Sequence, residues 1–436
     1  MRDTLGLLPS YPDEEDSTTI YRLMDADLIE ELAGAEIRDP QSLPNSGAPV
    51  YMATDDEIVR MLGLLQEEGE DLYIGETVGG ANVRIVLKRQ AIQRHMFICG
   101  TTGSRKSYAM GVIAEELTAQ GLPMVFIDTQ DEYSTLVEKL GGKVVQPGTD
   151  FTIRVSPLTE SELLDLLPAA TTELQRDIVA RAFSELQQEL VSDNIAKFGI
   201  DQLTARIERV GPLLTTRPDS VSMALSRTAS LKRNPIFGMG MDKADWRKIM
   251  HPCMAINCKR LTTTQLQPIA TAVLRELQTL RLHDHIPPYV VVLDEAHLFV
   301  PDREANACKR IIREGVRIGR HHGICMVLMT QSPADIDKRA IRQCNTRLVF
   351  ALEPDQLGAI RGVKSDASEE MLRALPKMPR GTCLLSGTYE SVKHTIPVRI
   401  RLRTTQDSEG GETPDIFAEM RETWQPHIEA LKRDQQ

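Results

Sequence analysis

A chain of 436 residues, 41% hydrophobic and 26% charged, holds enough apolar material for one large core or two. It contains no run of about 18 uncharged apolar residues that would mark a membrane helix, and MRDTLGLLPSYPDEED lacks the basic and apolar regions of a secretory signal, so a cytoplasmic protein is expected. The net charge of −11 argues against a nucleic-acid binder only until it is divided: the stretch through Glu76 carries 19 acidic and four basic residues, whereas the remainder, with 43 acidic and 47 basic, is slightly positive.

Residues 1–48 form a polar, acidic segment in which DADLIEELAGAEI (25–37) is expected to be a helix and DPQSLPNSGAP a linker. Residues 49–90 follow as a short N-terminal helix and β segment. Its helix starts at TDDEIVRMLGLLQEE, where Thr54 can cap and the carboxylates favour the positive end of the helix dipole. LYIGETVGGANVRIVLKRQ then reads as short strands around Gly79 and Gly80, too little for a whole barrel.

From His95 onward the rhythm changes. Short apolar runs alternate with helical segments: HMFIC, PMVFID, CMAIN, YVVVLDE, ICMVLMTQ and RLVFAL. Their near-continuous hydrophobicity predicts central strands of a mostly parallel sheet covered on both faces, hence an α/β fold. Between about 158 and 250, Leu163, Leu167, Leu174, Ile178, Leu186 and Leu190 recur at helical spacing and predict an inserted helical subdomain. GTCLLSG and HTIPVRIRLR close the core, placed at 91–403, and residues 404–436 form a charged tail. The 7 cysteines show neither zinc nor disulfide spacing, so reduced, mostly buried thiols are expected.

GTTGSRKSY, Gly100 to Tyr108, has the frame of a phosphate-binding loop between a strand and a helix running from Lys106 to about Gln120. Gly100, Thr101, Thr102, Gly103, Ser104, Arg105, Lys106, Ser107 and Tyr108 are therefore candidate nucleotide ligands. Lys106 would contact the β and γ phosphates of ATP, and the Ser107 hydroxyl would ligate Mg²⁺. Arg105 stands where the pattern asks for glycine. It can strain or narrow the loop, or swing outward and add positive charge.

In VVVLDEAH an apolar strand delivers Asp294, a second Mg²⁺ ligand through water, and Glu295, placed to orient or deprotonate the attacking water. The next strand ends in MTQSP, bringing Gln331 beside Asp294 if the two strands are neighbours. Of the arginines in REGVRIGRHHG, Arg313, Arg317 and Arg320, one at a subunit boundary could reach a neighbour's γ phosphate.

Together with IGETVGGANVRIVL, VFIDTQDEY, QCNT and LPKMPRGTCLLSGTYESVKHTIPVRIR, these elements resemble the HerA branch of the HerA/FtsK superfamily of P-loop DNA translocases, over about Leu72 to Arg403. The resemblance implies a RecA-like core assembled as a homohexamer, with ATP between subunits and double-stranded DNA in the pore. It further implies a helicase-type motor working with a nuclease (NurA-like) or another effector in DNA end processing or anti-phage defence. By the same resemblance Lys106, Glu295, Gln331 and Arg320 are catalytic, Arg320 acting in trans. Arg94 would lie near the nucleotide, and the base would lie against Ile396 and Pro397. A rival reading, prompted by Arg105, is a non-hydrolysing hexameric scaffold that organises an effector enzyme.

Overall fold

The computed structural model describes residues 3–7, 22–26, 31–33, 36–38, 51, 54–61, 72–78, 83–192, 195, 198–238, 250, 252–303, 306–361, 367–387, 392 and 394–405. The predicted tail after 405, the linker and the glycine pair at 79–80 lie outside them.

Four short strands come first. β1 (Asp3–Leu7) pairs antiparallel with β2 (Arg22–Ala26), and β3 (Glu31–Ala33) with β4 (Glu36–Arg38). Where the expected helix over 25–37 falls on described residues, at 25–26, 31–33 and 36–37, it is corrected to strand. Gly34 costs a helix interior about 1 kcal/mol relative to alanine, and pairing Ala33 with Glu36 and Leu32 with Ile37 leaves just two residues between the strands. The helix Asp55–Met61 begins as its sequence predicts, on a reciprocal cap in which Thr54 N donates to Glu57 Oε2 (2.7 Å) and Glu57 N to Thr54 Oγ1 (3.4 Å).

The remaining strands form one sheet. In chain order they are β5 (Leu72–Thr77), β6 (Arg84–Leu87), β7 (Met96–Cys99), β8 (Met124–Asp128), β9 (Lys143–Val145), β10 (Cys253–Asn257), β11 (Tyr289–Leu293), β12 (Ile324–Thr330), β13 (Thr346–Val349), β14 (Thr382–Ser386) and β15 (Ile396–Ile400). Their spatial order is β6-β5-β15-β14-β13-β7-β12-β11-β8-β10-β9. The seven strands from β13 to β9 run parallel, and β14, β15, β5 and β6 continue the sheet antiparallel. All six apolar runs from His95 on are parallel strands. β9 was not foreseen, because three residues with an exposed lysine carry too little apolar signal. The boundary drawn at residue 91 also needs correction: β5 pairs with β15 and so belongs to the same sheet as the nucleotide loop.

Alternate residues explain the uninterrupted hydrophobicity. Phe97 and Cys99 enter one core beneath the sheet, and Met96 and Ile98 enter the other, so both faces of β7 are buried. Each fully buried side chain of this kind contributes about 1.5–3 kcal/mol. All seven thiols are buried and free. Between β9 and β10 the helices Glu160–Asp165, Glu173–Val191, Ile200–Leu214 and Pro218–Ser230 gather a separate core around Leu163, Ile178, Phe183, Phe198, Leu203 and Ile207. Among the described residues no helix is long and apolar enough to cross a membrane.

His95 clamps the amino end of β7 to the neighbouring layer. Its Nε2 donates to Val316 O (2.8 Å) in the helix Ala307–His322, and its Nδ1 accepts from Met326 N (3.1 Å) in β12, so the neutral imidazole satisfies both partners. Burial lowers its pKa to about 4. Unfolded histidine titrates near 6.5, so the folded-state pKa is depressed. The stability it contributes is present above about pH 6.5 and is lost as pH falls towards 4, by about 2 kcal/mol at pH 5. Thermal unfolding is therefore expected at a lower temperature at pH 5 than at pH 7, with a smaller difference in His95→Gln. Equal pH dependence in the two proteins would contradict this assignment.

Candidate functional site

The parallel half of the sheet brings the carboxyl ends of β7, β12, β11 and β8 side by side, the edge where open α/β sheets bind ligands. β7 ends in the loop from Gly100, which turns directly into the helix Lys106–Ala119. Gly100 has to be glycine: a Cβ there would stand 2.5 Å from Phe350 Cβ and 2.7 Å from Ser104 Oγ. The loop and the first helical turn face a cleft of about 460 Å³ lined by Thr102, Gly103, Arg105, Lys106, Ser107, Tyr108, Gln130, Glu132, Asp294, Glu295, Gln331, Arg380 and Leu402.

Lys106 is buried, with its ammonium 3.3 Å from Thr101 O, on the side where a helix N-terminus favours anions. The Ser107 hydroxyl donates to the Glu132 carboxylate. β11 then delivers the buried Asp294 and Glu295. Thr129 Oγ1 donates to Asp294 Oδ2 (3.4 Å), and Glu295 sits in the left-handed region at φ 50°, ψ 50°, a strained position for a residue with a Cβ. From β12, Gln331 joins the two halves of the site. Its Nε2 donates to Glu295 Oε1 (2.8 Å), while its Oε1 accepts from Thr102 Oγ1 in the loop (2.6 Å). His297 Nδ1 lies 3.0 Å from Thr330 Oγ1 and 3.3 Å from Glu295 Oε2, bracing the acid from behind.

Glu132 was missed by the sequence reading. Asp128 explains how it is presented: the buried Asp128 carboxylate accepts from the backbone N–H of Gln130 (3.2 Å), Glu132 (3.1 Å) and Tyr133 (2.9 Å), folding DTQDEY into a turn that aims Glu132 at Ser107. The available signal was the third acid of that motif, close behind a strand end. Burial, followed by the charges of Glu132, Glu295 and Asp128, holds the Asp294 carboxyl well above the usual carboxylate range, with Lys106 opposing. Such an acidic group favours a cation. Among the described residues no three His, Cys, Asp or Glu side chains converge as a metal cage. A carboxylate and a hydroxyl at the edge of a phosphate site nevertheless fit Mg²⁺, which takes most of its six ligands from water and phosphate.

Beyond the loop, four predicted residues do not line this cleft: Ile396, Pro397, Arg94 and Arg320. Ile396 and Pro397 pair with Leu385 and Leu384 at the amino end of β15, which runs in the same direction as β7, so that the carboxyl end of β15, followed by Leu402, borders the cleft. Arg94 lies at the amino end of β7, about 13 Å along the strand from the loop, where its carbonyl accepts from Asn345 N. Arg320 is exposed on the last turn of Ala307–His322, at the amino end of β12 and so at the opposite edge from Gln331. Arg313 is taken up by the buried Asp337, and Arg317 is exposed.

Arg105 occupies φ 76°, ψ 32°, the left-handed conformation that glycine adopts freely and that costs other residues about 1–2 kcal/mol. Its side chain is exposed and turned outward, its guanidinium 5.3 Å from the centroid of Tyr108. The loop therefore keeps its course without the glycine.

Comparison with known proteins agrees with this geometry. The family described as Helicase HerA, central domain, matches residues 72–277, and an AAA-like domain matches 252–401. The DNA double-strand break repair helicase HerA of Sulfolobus acidocaldarius is 22% identical over 89% of this chain and 79% of its own length. That of Sulfurisphaera tokodaii is 23% identical over 92% and 81%. Among solved structures, VirB4 of Thermoanaerobacter pseudethanolicus superposes with a TM-score of 0.60 at 15% identity, covering 77% of this chain and 97% of VirB4. The conjugative coupling protein TrwB superposes at 0.53 and 15%, covering 83% and 94%. Strand order, loop, paired acids and these relatives agree: over residues 72–401 the chain is similar to the HerA-like P-loop ATPases, with a variant nucleotide loop.

Proposed function

We propose that the protein is an ATP-dependent motor that translocates double-stranded DNA through a homohexameric ring and works with a nuclease or another effector in DNA end processing or defence against foreign DNA. The observation that carries this reading is the Thr102–Gln331–Glu295 chain of hydrogen bonds, which links the phosphate loop to the catalytic acid. A scaffold that only holds nucleotide has no need of that connection.

In this reading Lys106 and the loop amides bind the β and γ phosphates, and Ser107 and Asp294, with Glu132 beside them, hold Mg²⁺. The ion would offset phosphate charge as it develops. Glu295 orients and deprotonates the water, and Gln331 holds Glu295 in place and responds to the γ phosphate through Thr102. Arg320 and Arg94 lie at the other edge of the sheet and so would reach a nucleotide only in a neighbouring subunit. DNA would be gripped through its phosphates, which makes binding salt-sensitive and weakly specific in sequence.

The rival, a non-hydrolysing ring that organises an effector, is favoured by one feature, the strained Arg105. Steady-state ATP turnover with and without double-stranded DNA separates the two. The motor is expected to hydrolyse ATP, faster with DNA, and to lose the stimulation as salt rises. Turnover no greater than that of Glu295→Ala, with or without DNA and effector, would leave the scaffold.

A further inference from the structure

The substitution in the loop has a use of its own. The stem of Arg105 runs beside Gly381, where an added Cβ would stand 3.4 Å from Arg105 Cδ, and its guanidinium faces the Tyr108 ring. Arg380 braces the same loop: its Nε donates to Gly103 O (2.9 Å), and the next residue's amide, Gly381 N, donates to Ser104 O (3.2 Å). Both arginines line the cleft. They do so from the β14 and β15 side of β7, opposite to β12 and β11, which carry Gln331, Glu295 and Asp294. The cleft thus has an acidic, water-activating side and a cationic side, with Lys106 between them.

We infer that Arg105 is a nucleotide ligand that, with Arg380, grips the α-phosphate of a bound nucleoside di- or triphosphate, so that the missing glycine increases nucleotide retention instead of disabling the site. This rests on reading the cleft as a nucleotide site. With Lys106 and Ser107 assigned to the terminal phosphates, the α-phosphate and the nucleoside extend towards the cationic side. A guanidinium matches two phosphate oxygens with parallel N–H donors, which a glycine in that position cannot do. Tyr108 and the exposed Leu402 supply apolar surface at the same end for the base. Arg105 reaches this place because its left-handed backbone turns the side chain away from the loop interior, leaving the loop amides and Lys106 free for the terminal phosphates.

Fluorescence titration with mant-ADP and mant-AMP tests the inference on the full chain, using Arg105→Ala, Arg105→Gly, Arg105→Lys and Lys106→Ala, with nucleotide-free melting temperatures as the check on folding. A lost charged hydrogen bond corresponds to about 10- to 100-fold in affinity. Arg105→Ala and Arg105→Gly are expected to weaken both nucleotides by that factor, Arg105→Lys less, and Lys106→Ala to weaken mant-ADP far more than mant-AMP. Arg105→Gly binding as tightly as the native chain, or tighter, overturns the inference, since strain would then be the only effect of the arginine. Loss confined to mant-ADP also overturns it, because the contact would not be to the α-phosphate. If the native chain and Lys106→Ala both bind neither nucleotide, the reading of the cleft itself fails, a result distinct from either of these.

Discussion

Glu295→Gln is expected to lower steady-state ATP turnover by about 10²- to 10⁴-fold, the usual worth of a positioned general base, while mant-ATP still binds. The carboxylate is buried, held by Gln331 Nε2 and faced by His297, so it has a fixed aim and two partners that an amide can partly satisfy. The isosteric change thus removes the base without emptying the space. A variant that turns over near the native rate would show that Glu295 shapes the loop at φ 50° and does not handle the proton. Gln331→Ala tests the linkage itself: it frees both Thr102 and Glu295, and its expected signature is a fall in turnover with little change in nucleotide affinity.

Arg320→Ala is expected to cost about 10³- to 10⁵-fold in turnover if this arginine completes a neighbour's site. Within its own subunit it stands at the far edge of the sheet, exposed and out of reach of Lys106, so it has no route to its own cleft. That geometry gives an unusual check. Arg320→Ala and Lys106→Ala are each expected to be inactive alone, and mixing them should recover part of the activity, because an Arg320→Ala subunit with an intact Lys106 can face a Lys106→Ala subunit with an intact Arg320. Mixtures as inactive as their components, at concentrations where mass photometry finds mixed rings, would remove Arg320 from the reaction.

Most of the central sheet could be read directly. β7, β8, β10, β11, β12 and β13 are buried on both faces, so each is an unbroken apolar run that neither a loop nor an amphipathic helix would carry. The loop from Gly100 and the acids at 294 and 295 could be read for a related reason: each follows immediately after such a run, and chain direction alone sets them at a carboxyl end. The errors fall where that local relation fails. DADLIEELAGAEI has apolar residues that satisfy either period, and pairing with partner strands decided for β. Ile396 and Pro397 show the same relation from the other side: β15 runs in the direction of β7, so its carboxyl end faces the cleft while these two residues open the strand at its amino end.

Glu132 and Arg380 were beyond the motif because nothing close in sequence ties them to the loop. Glu132 reaches Ser107 only after Asp128 has folded its turn, and Arg380 reaches Gly103 across 277 positions. The direction of Arg105 belongs to the same class, since either outcome was open until φ 76° and the seat beside Gly381 were in view. By itself the sequence determined which segments are the buried central strands, which loop can cradle phosphate and which two acids follow a strand, because burial and chain direction act within a few residues. Only the tertiary structure decided which strand ends meet, that Gln331, 229 positions from Thr102, bridges it to Glu295, and that Arg320 lies at the far edge. Strand order and register are set by hydrogen bonds and packing between segments far apart in the chain, and no local pattern encodes them.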